Sequence, residues 1–260
     1  MFLDNILTQK QHELARLVQS VTDEKWDQAA RMLKGISLAE SIKRERGLAV
    51  IAEIKPASPS KGIIREEVDP ISFASAYEAG GANAISVLTD VSFFKGSNEN
   101  LSKVKNQVSL PVLRKDFIID PIQVLESKLI GADAILLIVA ALDEKRLILL
   151  SETAHRLGME VLVEIHDETE IEASLACGAD VIGINNRNLE TFATNLAVTE
   201  RVRPKLPSEL PVIGESGIHS PTDAKRMADA GVQGILVGEY LMRQADPAQA
   251  LRELKRVKSP

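Results

Sequence analysis

Five short segments of this 260-residue chain run from apolar residues into ionisable or amide side chains. IAEIK carries Glu53 and Lys55, PVLRKDF carries Lys115, VLVEIH carries Glu164, INNR carries Asn185 and Arg187, and PVIGES carries Glu215 and Ser216. A charge at the buried end of a strand is costly unless it is paired or serves a ligand, so these residues call for a joint role. An ammonium held among carboxylates is a positioned proton donor, and a carboxylate beside it can take a proton back. His12, His155, His166 and His219 share no metal-ligand spacing such as HxxxH, and the single cysteine, Cys177, gives them no support, so no metal site is expected. His166, two residues past Glu164, reads as a solvated strand-end residue, and Cys177 as a small core residue within a helical pattern.

The elements that must place these residues are marked by a repeat. GANAI from Gly81, GADAI from Gly131, GADVI from Gly178 and GVQGI from Gly231 are variants of one phrase. Each follows an amphipathic helical stretch opened by Asp69, Asp120, Asp167 or Ser220 and stopped by glycine, and each opens a strand. Between copies lie a second strand and a second helix, so one repeat is two βα units. The strands so read are 49–55, 84–90, 111–117, 134–140, 160–166, 181–186, 211–217 and 234–238. Runs this rich in Val, Ile and Leu, alternating with helices, are parallel strands covered by helices. Eight of them in a chain of this length predict a single (β/α)8 TIM barrel. No GxGxxG follows the first strand, which argues against a doubly wound dinucleotide-binding sheet.

In such a barrel chemistry sits where strands run into βα loops. Side chains alternate along a strand, so Glu53 and Lys55 share a face, as do Leu113, Lys115 and Phe117, and Asn185 and Arg187. If Leu113 points into the barrel, so does Lys115. Gly217 and Gly238 follow the last two strands, where barrels commonly hold phosphate on backbone N–H groups, and a short helix starting at Glu239 would add its dipole. KPASPSKG lacks the glycine spacing and GK[ST] order of a P-loop, and reads as a flexible lid carrying Ser58 and Ser60. Phe93, Phe94 and Phe117 fall in the loops after the second and third strands although aromatics are only 3% of the chain; they would suit a flat aromatic ligand. The bland alternative is an ion-pair ring that plugs the barrel top.

With 45% hydrophobic and 26% charged residues the chain can bury a full core, and a net charge of −6 lacks the basic footprint of a nucleic-acid binder. One cysteine fits a reducing compartment. The N-terminus has no signal-peptide pattern and no run approaches a membrane span, so a cytoplasmic protein is expected. The chain ends shortly after the eighth helix, which implies no fused second enzyme.

IAEIKPASPSKG, SVLTDVSFFKGS, PVLRKDFIIDPIQV, LLIVAAL, LVEIHDE, IGINNRNLETF and GESGI occur in order and resemble the strand-end motifs of the indole-3-glycerol phosphate synthase family. The stretch to residue 47 is similar, less sharply, to that family's N-terminal helical extension, which implies an extension of residues 1–47 packed on a catalytic barrel of residues 48–260. The resemblance implies closure of the pyrrole ring of 1-(2-carboxyphenylamino)-1-deoxyribulose 5-phosphate with loss of carbon dioxide and water, in tryptophan biosynthesis, without metal or organic cofactor. It implies Glu53, Lys115, Glu164 and Asn185 as the catalytic group and Ser58 and Ser216 as binding residues, with Glu215 among them. Phe94, Phe117 and Leu136 would receive the anthranilate ring, Lys55 and Arg187 the anions, and Gly217, Gly238 and Glu239 the phosphate. Some relatives place serine at Glu239, so a carboxylate there must turn away and leave only its N–H. The implied partner is one small sugar phosphate, with no nucleic acid or membrane, in a monomer or weak homo-oligomer. A phosphoribosylanthranilate isomerase-like barrel, a Schiff-base aldolase and a non-catalytic scaffold stay open as rivals.

Overall fold

The computed structural model describes residues 2–257; Met1 and residues 258–260, the outermost residues of the two predicted segments, lie outside the described residues. Eight parallel strands close a barrel: β1 (Ala49–Ile54), β2 (Ala84–Leu88), β3 (Val112–Lys115), β4 (Ala134–Ile138), β5 (Glu160–Ile165), β6 (Val181–Asn185), β7 (Val212–Glu215) and β8 (Gly234–Val237). Each strand pairs with its sequence neighbours, and β8 returns to β1. The observed strands stop one or two residues short of the predicted C-terminal ends. There the chain leaves the ladder and side chains take over its polar groups: Asp90 and Asp116 accept the N–H groups of Phe93 and Phe117.

Helices start where the sequence offers a cap. Asp69, Asp120, Ser220 and Asp246 each accept a backbone N–H of the first turn and are followed by proline at the first helical position, opening α4 (Pro70–Gly80), α6 (Pro121–Leu129), α10 (Pro221–Asp229) and α12 (Pro247–Lys255). Asp167 instead caps a 3-10 turn, Glu168–Glu170, that leads into a short α8 (Ile171–Ala176).

The repeated phrase has a structural cause. Its third residue clasps the start of the preceding strand. Asn83 accepts the Val50 N–H at 3.0 Å through Oδ1 and donates its own N–H to the Val50 carbonyl at 2.9 Å. Asp133 does the same to Val112, Asp180 to Val161 and Gln233 to Val212, with every bond between 2.8 and 3.0 Å. A side-chain oxygen at that position satisfies a buried strand-end donor, which is why Asn, Asp, Asp and Gln recur there.

Residues alternate between two cores. Outward residues such as Val50, Val87, Val112 and Ile182 pack under the helices. Inward residues, among them Ala49, Ile51, Leu113, Leu136, Leu162 and Ile213, fill the barrel together with Leu38, Ala39 and Ile42 of α3 (Leu38–Lys43), which closes it at the strand starts. There the Glu160 carboxylate accepts the Ser37 hydroxyl at 2.5 Å and the Ala39 N–H at 2.8 Å. Asp133 and Glu160 thus sit at strand starts as structural acceptors.

Candidate active site

Parity delivers the rim. Lys115 follows Leu113 on the inner face of β3, two residues nearer the mouth, and its neighbours Arg114 and Asp116 leave in other directions. Arg114 turns into the helix layer, donating to Thr89, Ser127, the Gln123 carbonyl and Glu126. The run of three charges in PVLRKD therefore splits: Lys115 faces the cavity and Arg114 fastens β3 to α6.

At the mouth a pocket opens whose lining contains Glu53, Lys55, Ser58, Phe94, Lys115, Phe117, Leu136, Glu164, Asn185, Arg187, Glu215, Ser216, Gly217, Gly238 and Glu239. Every residue that the resemblance implied for catalysis or binding lies in this lining. The Lys115 ammonium is 2.6 Å from Glu215 Oε2 and 3.2 Å from Glu164 Oε2. Asn185 Nδ2 donates to Glu164 Oε1 at 2.9 Å, and Asn185 Oδ1 accepts the Arg187 N–H at 3.0 Å. Lys55 pairs with Glu53 at 2.7 Å. Arg187 donates to Ser60 Oγ and the Phe192 carbonyl, tying the loop after β6 to the segment after β1. That segment is a small hairpin, Ala57–Ser58 against Gly62–Ile63, where a flexible lid had been expected. The Glu239 carboxylate turns to Arg243 at 3.1 Å.

Burial and mutual charge set the protonation states. Burial opposes the Lys115 ammonium, but Glu215, Glu164 and Glu53 more than offset it and hold its pKa above the ordinary lysine value. Burial likewise pushes Glu215 up, and with the second carboxylate, Glu164, beside it, its pKa reaches about 7. Glu164 is buried too, yet Lys115 and His166 hold it below the ordinary value. Two carboxylates on one ammonium are thus displaced in opposite directions. His166 is not the solvated residue expected: its ring is largely buried, 3.5 Å from Glu164 and 3.5 Å from Glu170.

Several contributors escaped the sequence reading. Phe2, Leu3 and Ile6 of α1 (Phe2–Leu17) line the pocket, as do Leu189 and Phe192. Phe93 does not join the ring wall of Phe94 and Phe117; it meets Phe2 edge-on at 5.7 Å. Gly183, inside β6, was also passed over. A Cβ there would lie 2.0 Å from Glu215 Oε1, so its bare backbone is what lets that carboxylate reach Lys115. A glycine within a strand signals such a close approach. Gly238 makes the same room for Glu53, whose Oε1 would meet a Cβ at 2.4 Å.

Fold and site together define a (β/α)8-barrel enzyme with an acid–base cluster at the C-terminal mouth beside an aromatic wall. The family model for indole-3-glycerol phosphate synthase matches residues 3–254. A relative of that name from Acetivibrio thermocellus is 44% identical over 99% of this chain and 100% of its own. One from Shouchella clausii is 47% identical over 97% of this chain and 96% of its own. The chain belongs to the indole-3-glycerol phosphate synthase family. Among solved structures, a 3-hexulose-6-phosphate synthase superposes with a TM-score of 0.63 at 18% identity, covering 81% of this chain and all of its own. A thiamine phosphate pyrophosphorylase from Pyrococcus furiosus gives 0.61 at 16%, covering 85% and 97%; both are likenesses of fold alone.

Proposed function

We propose that the protein closes the pyrrole ring of 1-(2-carboxyphenylamino)-1-deoxyribulose 5-phosphate, releasing carbon dioxide and water to give indole-3-glycerol phosphate in tryptophan biosynthesis. The observation that carries this reading is the Lys115 ammonium, 2.6 Å from Glu215 and 3.2 Å from Glu164, in a pocket whose wall holds the rings of Phe94 and Phe117. Attack of the aromatic carbon on the ketone builds charge on the ketone oxygen, and Lys115 delivers the proton there. The carboxylate leaves as carbon dioxide and restores the aromatic ring. Dehydration then needs an acid for the departing hydroxyl and a base for the ring proton; Glu53, Glu164 and Lys115 are the groups in place, with Asn185 orienting Glu164.

Phe94, Phe117 and Leu136 receive the ring, while Lys55 and Arg187 meet the anions. Ser58, Glu215 and Ser216 complete the polar lining. Gly217, with φ of +79°, and Gly238 let backbone N–H groups approach the phosphate with that of Glu239. Residues 1–47 act as an extension on the 48–260 barrel, a division supported by α1 lining the pocket and α3 entering the barrel core. The reaction needs no cofactor and no partner beyond this small substrate, and the protein works in the cytoplasm as a monomer or weak homo-oligomer. A net charge of −6 supports the lack of a nucleic-acid partner.

Mixing the protein with the carboxyphenylamino sugar phosphate should produce indole fluorescence. Lys115→Ala should fold and lose roughly 10²- to 10⁴-fold in turnover or more, the worth of a positioned acid. Unchanged turnover in that variant would remove the assignment.

A further inference from the structure

Lys10 lies on α1, far in sequence from the catalytic strands, yet only 2% of its side chain is exposed. Its ammonium is 2.7 Å from Asp90 Oδ2, 2.8 Å from Asp116 Oδ1 and 2.8 Å from Glu13 Oε2. Both aspartates are already committed to the backbone. Asp90 Oδ1 accepts the N–H groups of Phe93 at 2.7 Å and Phe94 at 3.1 Å. Asp116 Oδ1 accepts the N–H of Phe117 at 2.8 Å, while Oδ2 accepts from Thr89 and Arg114. The rings of Phe94 and Phe117 stand 6.1 Å apart at 37° and line the pocket. Ile6, one turn before Lys10 on the same helix face, lines it as well. A single cation thus joins the helix that borders the pocket to the two backbone segments that aim its aromatic wall. A buried ion pair of this kind is weak evidence for stability, because apolar residues of similar volume often do as well. What it does supply is fixed geometry.

We propose that Lys10 is a positioning residue for the reaction: through Asp90 and Asp116 it holds Phe94 and Phe117 at the spacing that receives the substrate's aromatic ring. It touches no reacting atom. The inference rests on the function read above. Its signature is selective, since the phosphate-facing loops after β7 and β8 make no contact with Lys10 among the pairings described.

Steady-state kinetics on folded variants test it, with 2-aminobenzoate as a probe of the ring half and inorganic phosphate as a probe of the other. Lys10→Met should raise KM and weaken competition by 2-aminobenzoate on the order of tenfold, with a smaller change in kcat and inhibition by phosphate retained. Lys10→Arg, which keeps the charge, should recover most of the loss. Should Lys10→Met fail to fold, Asp116→Asn keeps an acceptor for Phe117 while weakening the ion pair, and should shift KM and 2-aminobenzoate in the same direction with phosphate retained. Unshifted KM and 2-aminobenzoate competition in the variant read, parallel loss of both probes, or no competition by 2-aminobenzoate with the unaltered protein would each overturn the role of Lys10 alone. Absence of turnover by the unaltered protein would overturn the reaction itself, and this role with it.

Discussion

Lys115 shows how one position acquires a function from its neighbours. A lysine alone in a barrel mouth would lose its charge to burial; three carboxylates around it keep it an ammonium at neutral pH. Glu164 is the partner held ionised, by Lys115 and His166, and Glu164→Gln keeps its shape and acceptor while removing its titration. That variant should retain a near-normal melting temperature and turn over roughly 10²- to 10⁴-fold more slowly. A large loss of stability with turnover per folded molecule intact would reduce Glu164 to a charge balance. Glu215 makes the opposite prediction. Its pKa is raised from 4.5 to about 7 by burial and by Glu164, so protonation favours the folded state. Its contribution is fully present below pH 4.5 and is lost as pH rises through about 7. Glu215→Gln removes this titration. Chemical denaturation at pH 4.5 and pH 8 should show the stability of the variant relative to the parent rising by on the order of 1 to 3 kcal/mol between the two. A gap independent of pH would show that Glu215 does not carry the proton.

At the scale of elements, strand register and bare backbone decide whether the rim groups meet. Asn185 on β6 stands opposite Glu215 on β7, and Glu164 on β5 opposite Gly183 on β6, which brings the cluster to one level. Gly183→Ala would put a methyl where the Glu215 carboxylate lies, with Leu162 closing the other side. We expect a folded protein, less stable by about 1 to 3 kcal/mol from overpacking, whose turnover drops because Glu215 is driven off Lys115. Turnover at the parent level would mean that this contact is dispensable. The strands and their parity were legible because apolar runs and D-P or S-P caps are local signals. Their ends were read too long because nearby side chains replace the ladder there, Asp90 taking the N–H of Phe93 and Asp116 that of Phe117, which periodicity does not register.

Across the whole molecule, the segment before β1 serves both ends of the barrel: α1 borders the pocket and α3 fills the barrel at the strand starts. Ile42, 1% exposed within that inner cluster, has little room to be replaced. Ile42→Ala should lower stability by about 2 to 5 kcal/mol, read by denaturant titration, with the mouth and KM little changed because the substitution lies at the opposite end. A cost below about 0.5 kcal/mol would show that α3 is not part of the core. The sequence by itself determined the eight strands, their inward parity and the set of residues at the rim, since period-two alternation and helix stops are written within a few residues of each position. It also carried the four-part repeat, though the reason for it, an oxygen clasping the preceding strand, emerged only when the strands were assembled. Only the tertiary structure decided which carboxylate meets Lys115, that His166 is enclosed, that Gly183 makes room for Glu215, and that Lys10 reaches Asp90 and Asp116. The contacts of Lys115, Gly183 and Lys10 join residues tens of positions apart, and all of these energies depend on distance and burial that no local pattern encodes.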